Sequence, residues 1–219
     1  MVRFEQFEAW YPTKFFKKNH IIKKCNFSIQ KNKITGLTGL NGSGKTTLMK
    51  SISGLNLQSD GSLYLDGKKQ KSCILSEYMN VGFSPEISPI PFNGTLIELL
   101  KVYYHLNHVV PSESSINTIL DAVQEFDLSM YLNTSFNTLS KGTKKRVLIL
   151  VSLFGEPEFL ILDEPLEGLD TDQRKFVKQK IQELKHDRYV LISSHELLEL
   201  ENICDDNLHI ENYKVANIE

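Results

Sequence analysis

One eight-residue stretch, residues 39–46, constrains this chain more than any other part of its sequence. It reads Gly-Leu-Asn-Gly-Ser-Gly-Lys-Thr and fits the phosphate-binding pattern G-x-x-x-x-G-K-[ST]. The residues before it, 33–38, are typical of a short buried strand, and residues 45–53 are typical of a helix. Strand, glycine-rich loop and helix form the setting in which this pattern binds phosphate, because glycine permits a tight curl and the helix N-terminus presents N–H groups. The alternative is a chance glycine-rich turn.

The pattern gives three side chains separate tasks around a bound nucleotide. Lys45 is expected to reach the outer phosphates, and Thr46 to place its hydroxyl on Mg²⁺. Thr47 is expected to touch an inner phosphate. The loop therefore predicts binding of a nucleotide with its magnesium ion.

Composition narrows the class of protein further. The 219 residues are 41% apolar and 24% charged, as in one large soluble domain, and the formal net charge of −2 argues against nucleic-acid binding through bulk charge. The longest apolar run, Val147 to Phe154, is far shorter than the ~20 residues that span a bilayer, and no signal peptide is visible. Three widely spaced cysteines suit a reducing compartment. We expect any membrane role to depend on a partner.

The order of the predicted elements indicates an α/β fold with a mainly parallel central sheet. Strands predicted at 2–7 and 21–29 precede the loop and form an N-terminal antiparallel β subdomain. Helical patterns at 95–106, 112–126 and 139–154 fall between two short strands, and so predict a helical subdomain of approximately residues 92–153 inserted in the core. We expect residues 1–219 to form one domain.

Two groups of side chains leave alternatives open. An aromatic cluster upstream of the loop, Trp10, Tyr11, Phe15 and Phe16, could stack on an adenine ring or equally pack in a hairpin. His105 and His108 have the i, i+3 spacing of metal ligands, but the sequence suggests no third ligand nearby, so a solvated or helix-capping role is favoured.

A second chemical feature is the pair Asp163–Glu164, which ends the continuous apolar run Phe159 to Leu162. Such a run is typical of a strand buried on both faces of a parallel sheet. Ligands of α/β sheets gather beyond the carboxyl ends of the strands. Asp163 could hold Mg²⁺ through water, and Glu164 could orient and deprotonate an attacking water.

Taken together, these motifs resemble those of the ABC (ATP-binding cassette) ATPases over nearly all 219 residues. The resemblance rests on their order: the loop at 39–46, Pro85–Glu86 at the family's glutamine loop, the signature Leu-Ser-Lys-Gly-Thr at 139–143, the Asp–Glu strand end, Gly168–Leu169–Asp170, and Ser194–His195. It implies an ATPase in which ATP and Mg²⁺ lie between two cassettes arranged head to tail, in a homodimer or a heterodimer.

The resemblance also implies a role for each matched residue. Glu164 and His195 would be catalytic, and Thr46, Glu86 and Asp163 would face the metal. The residues that would contact ATP come from both cassettes of the dimer: Phe16, Gly39, Asn41, Gly42, Ser43, Gly44, Lys45, Thr46, Thr47, Ser140, Gly142 and Asp170.

Three departures from the family pattern carry charge. Glu86 replaces the usual glutamine, Lys141 stands within the signature, and Glu167 precedes Gly168 where serine or asparagine is more common. None of them removes a group needed for hydrolysis. With a lysine in its signature, the chain resembles the cassettes of exporters whose membrane subunit is a separate chain.

The predicted function is therefore that of an energy-coupling ATPase of a membrane transporter. We expect it to be cytoplasmic and peripheral on the inner face of the cell membrane, held there by a membrane-spanning subunit that contacts the helices at 95–130. The alternative is an ABC ATPase acting as a switch in iron–sulfur assembly, translation or DNA maintenance. We expect no nucleic-acid partner.

Overall fold

The computed structural model describes residues 1–12, 18–55, 58–87, 92–107 and 113–218. The strands, numbered in chain order, are β1 Val2–Pro12, β2 Lys18–Ile29, β3 Ile34–Thr38, β4 Gln58–Leu65, β5 Lys68–Lys69, β6 Val81–Ser84, β7 Phe159–Leu162, β8 Tyr189–Ser194, β9 Asp206–Glu211 and β10 Lys214–Ile218. The helices are α1 Lys45–Ser53, α2 Leu96–Asn107, α3 Glu113–Glu125, α4 Lys141–Leu153, α5 Thr171–Leu184 and α6 Leu197–Leu200.

The strands form two sheets. A four-stranded antiparallel sheet has the order β2-β1-β4-β5, and a six-stranded sheet has the order β10-β9-β3-β8-β7-β6. In the larger sheet β3 pairs in parallel with β8 and β9, and β7 pairs in parallel with β6 and β8. The final strand, β10, is antiparallel to β9. The carboxyl ends of β3, β6, β7 and β8 therefore meet along one edge of the larger sheet.

Each face of the larger sheet carries its own apolar core, which explains the continuous apolar run of β7. Phe159 and Ile161 pack with the antiparallel sheet and α1 on one face. Leu160 and Leu162 pack with α2, α3, α4 and α5 on the other face. Because side chains alternate between the faces of a strand, a strand covered on both sides must be apolar at every position.

The helices α2, α3 and α4 lie between β6 and β7 in the chain, where the sequence predicts helices. Leu96, Leu99 and Leu100 of α2 are buried together as expected. The helical spacing of Ile116, Ile119, Leu120 and Val123 predicts one shared apolar face on α3. Ile119 and Val123 are buried, but Leu120 is 39% exposed, so its predicted place on the buried face is wrong. Leu120 is rotated by about 100° from Ile119, which places it at the margin of that face.

Two predicted boundaries are corrected by the hydrogen-bonding pattern. The first strand continues to Pro12 rather than ending near Phe7, because it pairs with both β2 and β4 along its length. The sequence also predicts a helix that follows His195 and continues to Ile203, but this helix has four residues, Leu197–Leu200, and a turn follows. Among the described residues, no helix is both long enough and apolar enough to cross a membrane.

Candidate functional site

The phosphate loop joins β3 to α1 at the edge where the parallel strands end. Gly42 and Gly44 have φ angles of 77° and 108°, a region of backbone conformation that side chains with a Cβ rarely adopt. The first turn of α1 begins at Lys45 and contains no acidic residue. Its N–H groups and the positive end of the helix dipole therefore face the loop, and no carboxylate within that turn competes for them.

Two polar groups of the loop are arranged for an anion. The Lys45 side chain is buried, and its Nζ donates to the carbonyl oxygens of Gly39 at 2.8 Å and Leu40 at 3.5 Å. The buried Ser43 hydroxyl has no hydrogen-bond partner within the described part of the chain. An orphaned donor beside a buried ammonium group fits phosphate oxygens, which can accept from both.

The Asp163–Glu164 pair follows β7 directly, and β8 lies between β7 and β3, the strand that enters the loop. Asp163 and Glu164 are buried, and Ser193 on β8 connects them. The Ser193 hydroxyl donates to Asp163 Oδ1 at 2.7 Å and accepts from the Glu164 N–H at 2.8 Å. Glu164 adopts a positive φ of 46°, a strained conformation for a non-glycine residue that costs about 1–3 kcal/mol. Such strain is concentrated at functional sites, and here it turns the side chain back towards the loop.

The Glu164 carboxylate lies between two basic groups. Its Oε1 is 3.5 Å from Lys45 Nζ, and its Oε2 is 3.1 Å from Nδ1 of His195, which follows β8. The hydrogen bond to Glu164 is the largest cause that raises the pKa of His195, and the charges of Glu164, Glu196 and Glu199 act in the same direction. The geometry thus brings a carboxylate, a lysine and a histidine together beside the phosphate loop.

A pocket of about 250 Å³ is lined by Lys45 and Glu164 together with residues of the phosphate loop. Its lining residues come from β2, the phosphate loop, the loop after β6 and the loop after β7: Ile21, Asn41, Gly42, Gly44, Lys45, Thr46, Thr47, Glu86 and Glu164. Burial and then the charges of Glu167 and Asp163 raise the pKa of Glu86. The hydroxyl and carboxylate oxygens that line this pocket are of the kind that Mg²⁺ prefers as ligands.

The signature residues lie on a different surface from this pocket. Ser140 caps α4, since its Oγ accepts from the Thr143 N–H at 3.1 Å. A Cβ on Gly142 would overlap the amide group of Gln173 at the start of α5, so a larger residue there requires the Gln173 side chain to move. Asp170 caps α5 by accepting from the Gln173 N–H at 2.9 Å. Within one described chain these residues do not line the phosphate-loop pocket.

The structure describes two members of the aromatic cluster upstream of the loop, Trp10 and Tyr11. Trp10 is 8% exposed within β1, and its Nε1 donates to Gln58 Oε1 on β4 at 2.9 Å, so it packs in the antiparallel sheet. Tyr11 is 44% exposed. Phe15 and Phe16, the residues predicted to stack on adenine, lie outside the described residues, as does His108.

Three site residues have no motif that the sequence analysis could use. Ile21 lines the pocket from β2, and Ser193 connects the two carboxylates from β8. The third, Lys145 of α4, donates from a buried ammonium group to the backbone oxygen of Glu86 at 2.7 Å. For Ser193 the sequence offers a weak signal, because it stands next to the Ser194–His195 pair. Ile21 and Lys145 reach the site through packing between distant segments, which the sequence does not reveal.

Comparison with known protein families matches residues 22–167 to the family described as ABC transporter. The chain belongs to this family and is one of its ATP-binding ATPase cassettes. The match begins within β2 and ends after the Asp163–Glu164 pair, so it includes the loop, the signature and both carboxylates.

Several relatives support the same assignment. The chain is 35% identical over 195 residues to the bacitracin transport ATP-binding protein BcrA of Enterococcus faecalis, covering 88% of this chain and 62% of that relative. It is 32% identical to ABC transporter A family member 11 of Dictyostelium discoideum, of which it spans 24%. It is 28% identical to the uncharacterized ABC transporter ATP-binding protein YybJ of Bacillus subtilis, covering 94% of this chain and 93% of that relative. The chain thus spans less than two thirds of the first two proteins and nearly all of the third.

Solved structures agree with this fold. The structure of an ATP-binding subunit of an ABC transporter is 25% identical, with a TM-score of 0.78 over 100% of this chain and 89% of that one. The dimeric structure of MJ0796, a bacterial ABC transporter cassette, has a TM-score of 0.82 at 20% identity, over 98% of this chain and 96% of that one. The predicted fold class, a P-loop α/β cassette with a mainly parallel sheet and an antiparallel β subdomain, is confirmed.

Proposed function

We propose that this cassette hydrolyses ATP to drive export through a separate membrane-spanning chain. The observation that carries the proposal is the pocket in which Lys45 and Glu164 lie 3.5 Å apart beside the phosphate loop. Glu164 is the general base in this proposal, because it is buried at the loop and its carboxylate faces the pocket. His195, which bonds to the other Glu164 oxygen, orients that carboxylate and contacts the γ-phosphate.

The phosphates of ATP are held by the loop. Lys45 exchanges its bonds to Gly39 and Leu40 for bonds to the outer phosphates, and Ser43 donates its unpaired hydroxyl to a phosphate oxygen. The amides at the start of α1 complete the cradle. Phe16 is proposed to stack on the adenine ring.

The donor set also fits a magnesium ion. Thr46 and Glu86 both line the pocket. Within the described chain, the Asp163 carboxylate accepts a hydrogen bond from Ser193 at Oδ1 only, so its second oxygen is available to a metal ion. Thr46, Asp163 and Glu86 would hold Mg²⁺ directly or through water. When bound, Mg²⁺ supplies positive charge that offsets the charge of the β- and γ-phosphate oxygens.

We further propose that two cassettes close head to tail over ATP, in a homodimer or a heterodimer. The pocket lacks Ser140, Gly142 and Asp170, which lie on another surface of the same chain. In the proposed dimer Ser140 and the amides of the first turn of α4 face the γ-phosphate bound by the partner cassette. The cap that Ser140 forms on α4 supports this role, because it fixes the hydroxyl at the helix N-terminus.

The membrane-spanning partner is proposed from three observations. The relative BcrA is named a transport ATP-binding protein. Lys141 within the signature is similar to exporter cassettes, and the described chain has no helix able to span a bilayer. In this proposal residues 1–219 act as one cassette domain, localised to the inner face of the membrane through contacts of the partner with the inserted helices within residues 92–153.

Co-expression tests the partner. The chain expressed alone should remain in the supernatant after ultracentrifugation, and expression with the membrane protein encoded beside it should move the chain to the membrane fraction. The Lys45→Ala variant is the matched control, because it should lose hydrolysis but keep its place in the membrane fraction. A chain that stays in the supernatant with every adjacent membrane protein would contradict the transporter proposal, whereas ATP hydrolysis measured on the chain alone tests the ATPase separately.

A further inference from the structure

Lys145 is a buried cation that the family motifs leave without a role. Lys145 lies on α4, five residues after Ser140, which caps the helix, and only 2% of its surface is exposed to solvent. Its ammonium group donates to the carbonyl oxygen of Glu86, in the loop after β6, at 2.7 Å. A lysine buried to this extent is rare unless a charge or a hydrogen bond compensates it. The contact also ties α4 to a loop that lines the phosphate pocket.

The groups that face Lys145 come from three segments. The carboxylates of Glu167, Glu86 and Asp163 favour its charged form, whereas Lys141 on the same helix disfavours it. Burial is the largest influence, and it lowers the pKa of Lys145. The influence is reciprocal. Burial and the charges of three carboxylates raise the pKa of Glu86, and the charge of Lys145 lowers it. Lys145 is therefore a buried cation that faces a cluster of three carboxylates, one of which, Glu167, also pairs with Lys141 at 3.5 Å.

This cluster borders the pocket proposed for the triphosphate. Glu86 and Glu164 both line it, and each carboxylate repels a bound polyanion. Glu164 already lies 3.5 Å from Lys45 and 3.1 Å from His195. Lys145 binds the backbone oxygen of Glu86, and its positive charge acts on the Glu86 carboxylate from that position.

We propose that Lys145 is a positioning residue of the nucleotide site, which holds the Glu86 loop against α4 and offsets the charge that Glu86 brings into the pocket. The inference rests on the proposed function, since it concerns the same ATP site. It assigns to Lys145 two separable contributions: a hydrogen bond that fixes the loop and a charge that compensates a carboxylate.

The charge is tested by ATP binding to the purified full chain, measured by titration calorimetry with EDTA present so that neither metal nor turnover contributes. Lys145→Gln keeps a hydrogen-bond donor but removes the charge, and should weaken ATP binding about tenfold. Glu86→Gln in the same chain should restore affinity to within about threefold of the wild type. Lys144→Gln is the matched control: this neighbouring lysine donates to Asn137 O at 2.7 Å in the same cleft, and its loss should change affinity less than about twofold.

Three results overturn the charge offset: unchanged affinity in Lys145→Gln, an equal loss in Lys144→Gln, or a double variant that binds as weakly as Lys145→Gln. If Lys145→Gln alone does not fold, Glu86→Gln and Glu86→Gln/Lys145→Gln are compared instead. Their affinities should agree within about threefold, because, of the three carboxylates that face Lys145, only Glu86 lines the phosphate pocket, and it is gone in both variants. A tenfold difference between them overturns the offset.

The hydrogen bond is tested in the Glu86→Gln background by comparing two Lys145 variants that both lack the charge. Lys145→Met removes the donor and should raise KM for ATP at least threefold over Lys145→Gln, with kcat changed less. Equal KM values overturn the positioning contribution. If the wild type itself fails to bind ATP, the proposed function is contradicted, whereas normal wild-type binding without rescue contradicts only this inference.

Discussion

Replacing Glu164 with glutamine tests the proposed chemistry and the proposed assembly together. The Glu164 side chain is 8% exposed, with Lys45 Nζ at 3.5 Å from one oxygen and His195 Nδ1 at 3.1 Å from the other. Glutamine keeps the size and one amide oxygen that can accept from His195, but it cannot take a proton from water. Loss of a positioned general base typically costs ~10²–10⁴ in rate, which is about 2.7–5.4 kcal/mol at 1.36 kcal/mol per tenfold.

ATP binding should survive the same change. In the present structure Lys45 is shared between Glu164 and two loop carbonyls, so the carboxylate competes with phosphate for this ammonium group. Glutamine removes that competition, and the affinity for ATP should stay equal or increase by up to about tenfold, or ~1.4 kcal/mol. Folding should lose about 1–2 kcal/mol from the charged hydrogen bond to His195, which corresponds to a fall in Tm of about 2–8 °C for a chain of this size.

The assay combines phosphate release with size-exclusion chromatography. Glu164→Gln with ATP and Mg²⁺ should elute near twice 25.1 kDa, because ATP persists between two cassettes, and the wild type without nucleotide should elute mostly as a monomer. Glu167→Gln is the matched control, since this carboxylate is on the same loop but pairs with Lys141 at 3.5 Å and should leave turnover within about threefold. Adding Ser140→Arg should prevent the dimer.

Two outcomes would refute this reasoning. Turnover of Glu164→Gln within tenfold of the wild type would show that Glu164 is not the base. A Glu164→Gln protein that binds ATP but stays monomeric, alone and when mixed with any cassette encoded nearby, would contradict the two-cassette site.

Three further predictions concern other residues of the site. Lys45→Ala should abolish measurable hydrolysis and weaken ATP binding greatly, because it removes the buried ammonium group that lies beside the phosphate loop. A near-normal affinity for ATP, measured by calorimetry, would contradict this prediction. Glu86→Gln should change turnover by less than about tenfold, or ~1.4 kcal/mol, because either side chain offers an oxygen at the pocket; complete loss would reveal a dedicated role for the carboxylate. Because the folded-state pKa of His195 is raised above its ordinary value of 6.5, its stabilising contribution is fully present below pH 6.5 and is lost as pH rises through the raised value. The Tm difference between the wild type and His195→Gln should therefore be largest below pH 6.5 and shrink above it, and a constant difference across pH 5–9 would refute the pairing with Glu164.

Local sequence patterns determined much of this protein. The phosphate loop, the apolar run of β7 and the signature each depend on residues that are neighbours in the chain, so spacing alone reveals them. The burial of every residue of β7 follows from its composition, because only a strand covered on both faces needs four apolar residues in succession. Residues 39–46 and the Asp163–Glu164 pair were placed on the correct loops for the same reason.

The tertiary structure decided which of these residues meet. Glu164 reaches both Lys45 and His195 because β7, β8 and β3 end at one edge of the sheet, and no spacing in the chain encodes those distances. Trp10 was equally compatible with stacking or packing in the sequence, and its partner on β4 decided in favour of packing. Lys145 looks like an ordinary helical lysine in the sequence. Lys145 is buried and bonded to Glu86 because α4 packs on the loop after β6, which is 59 residues away in the chain. Removal from water at that contact strengthens the interaction of its charge with the neighbouring carboxylates.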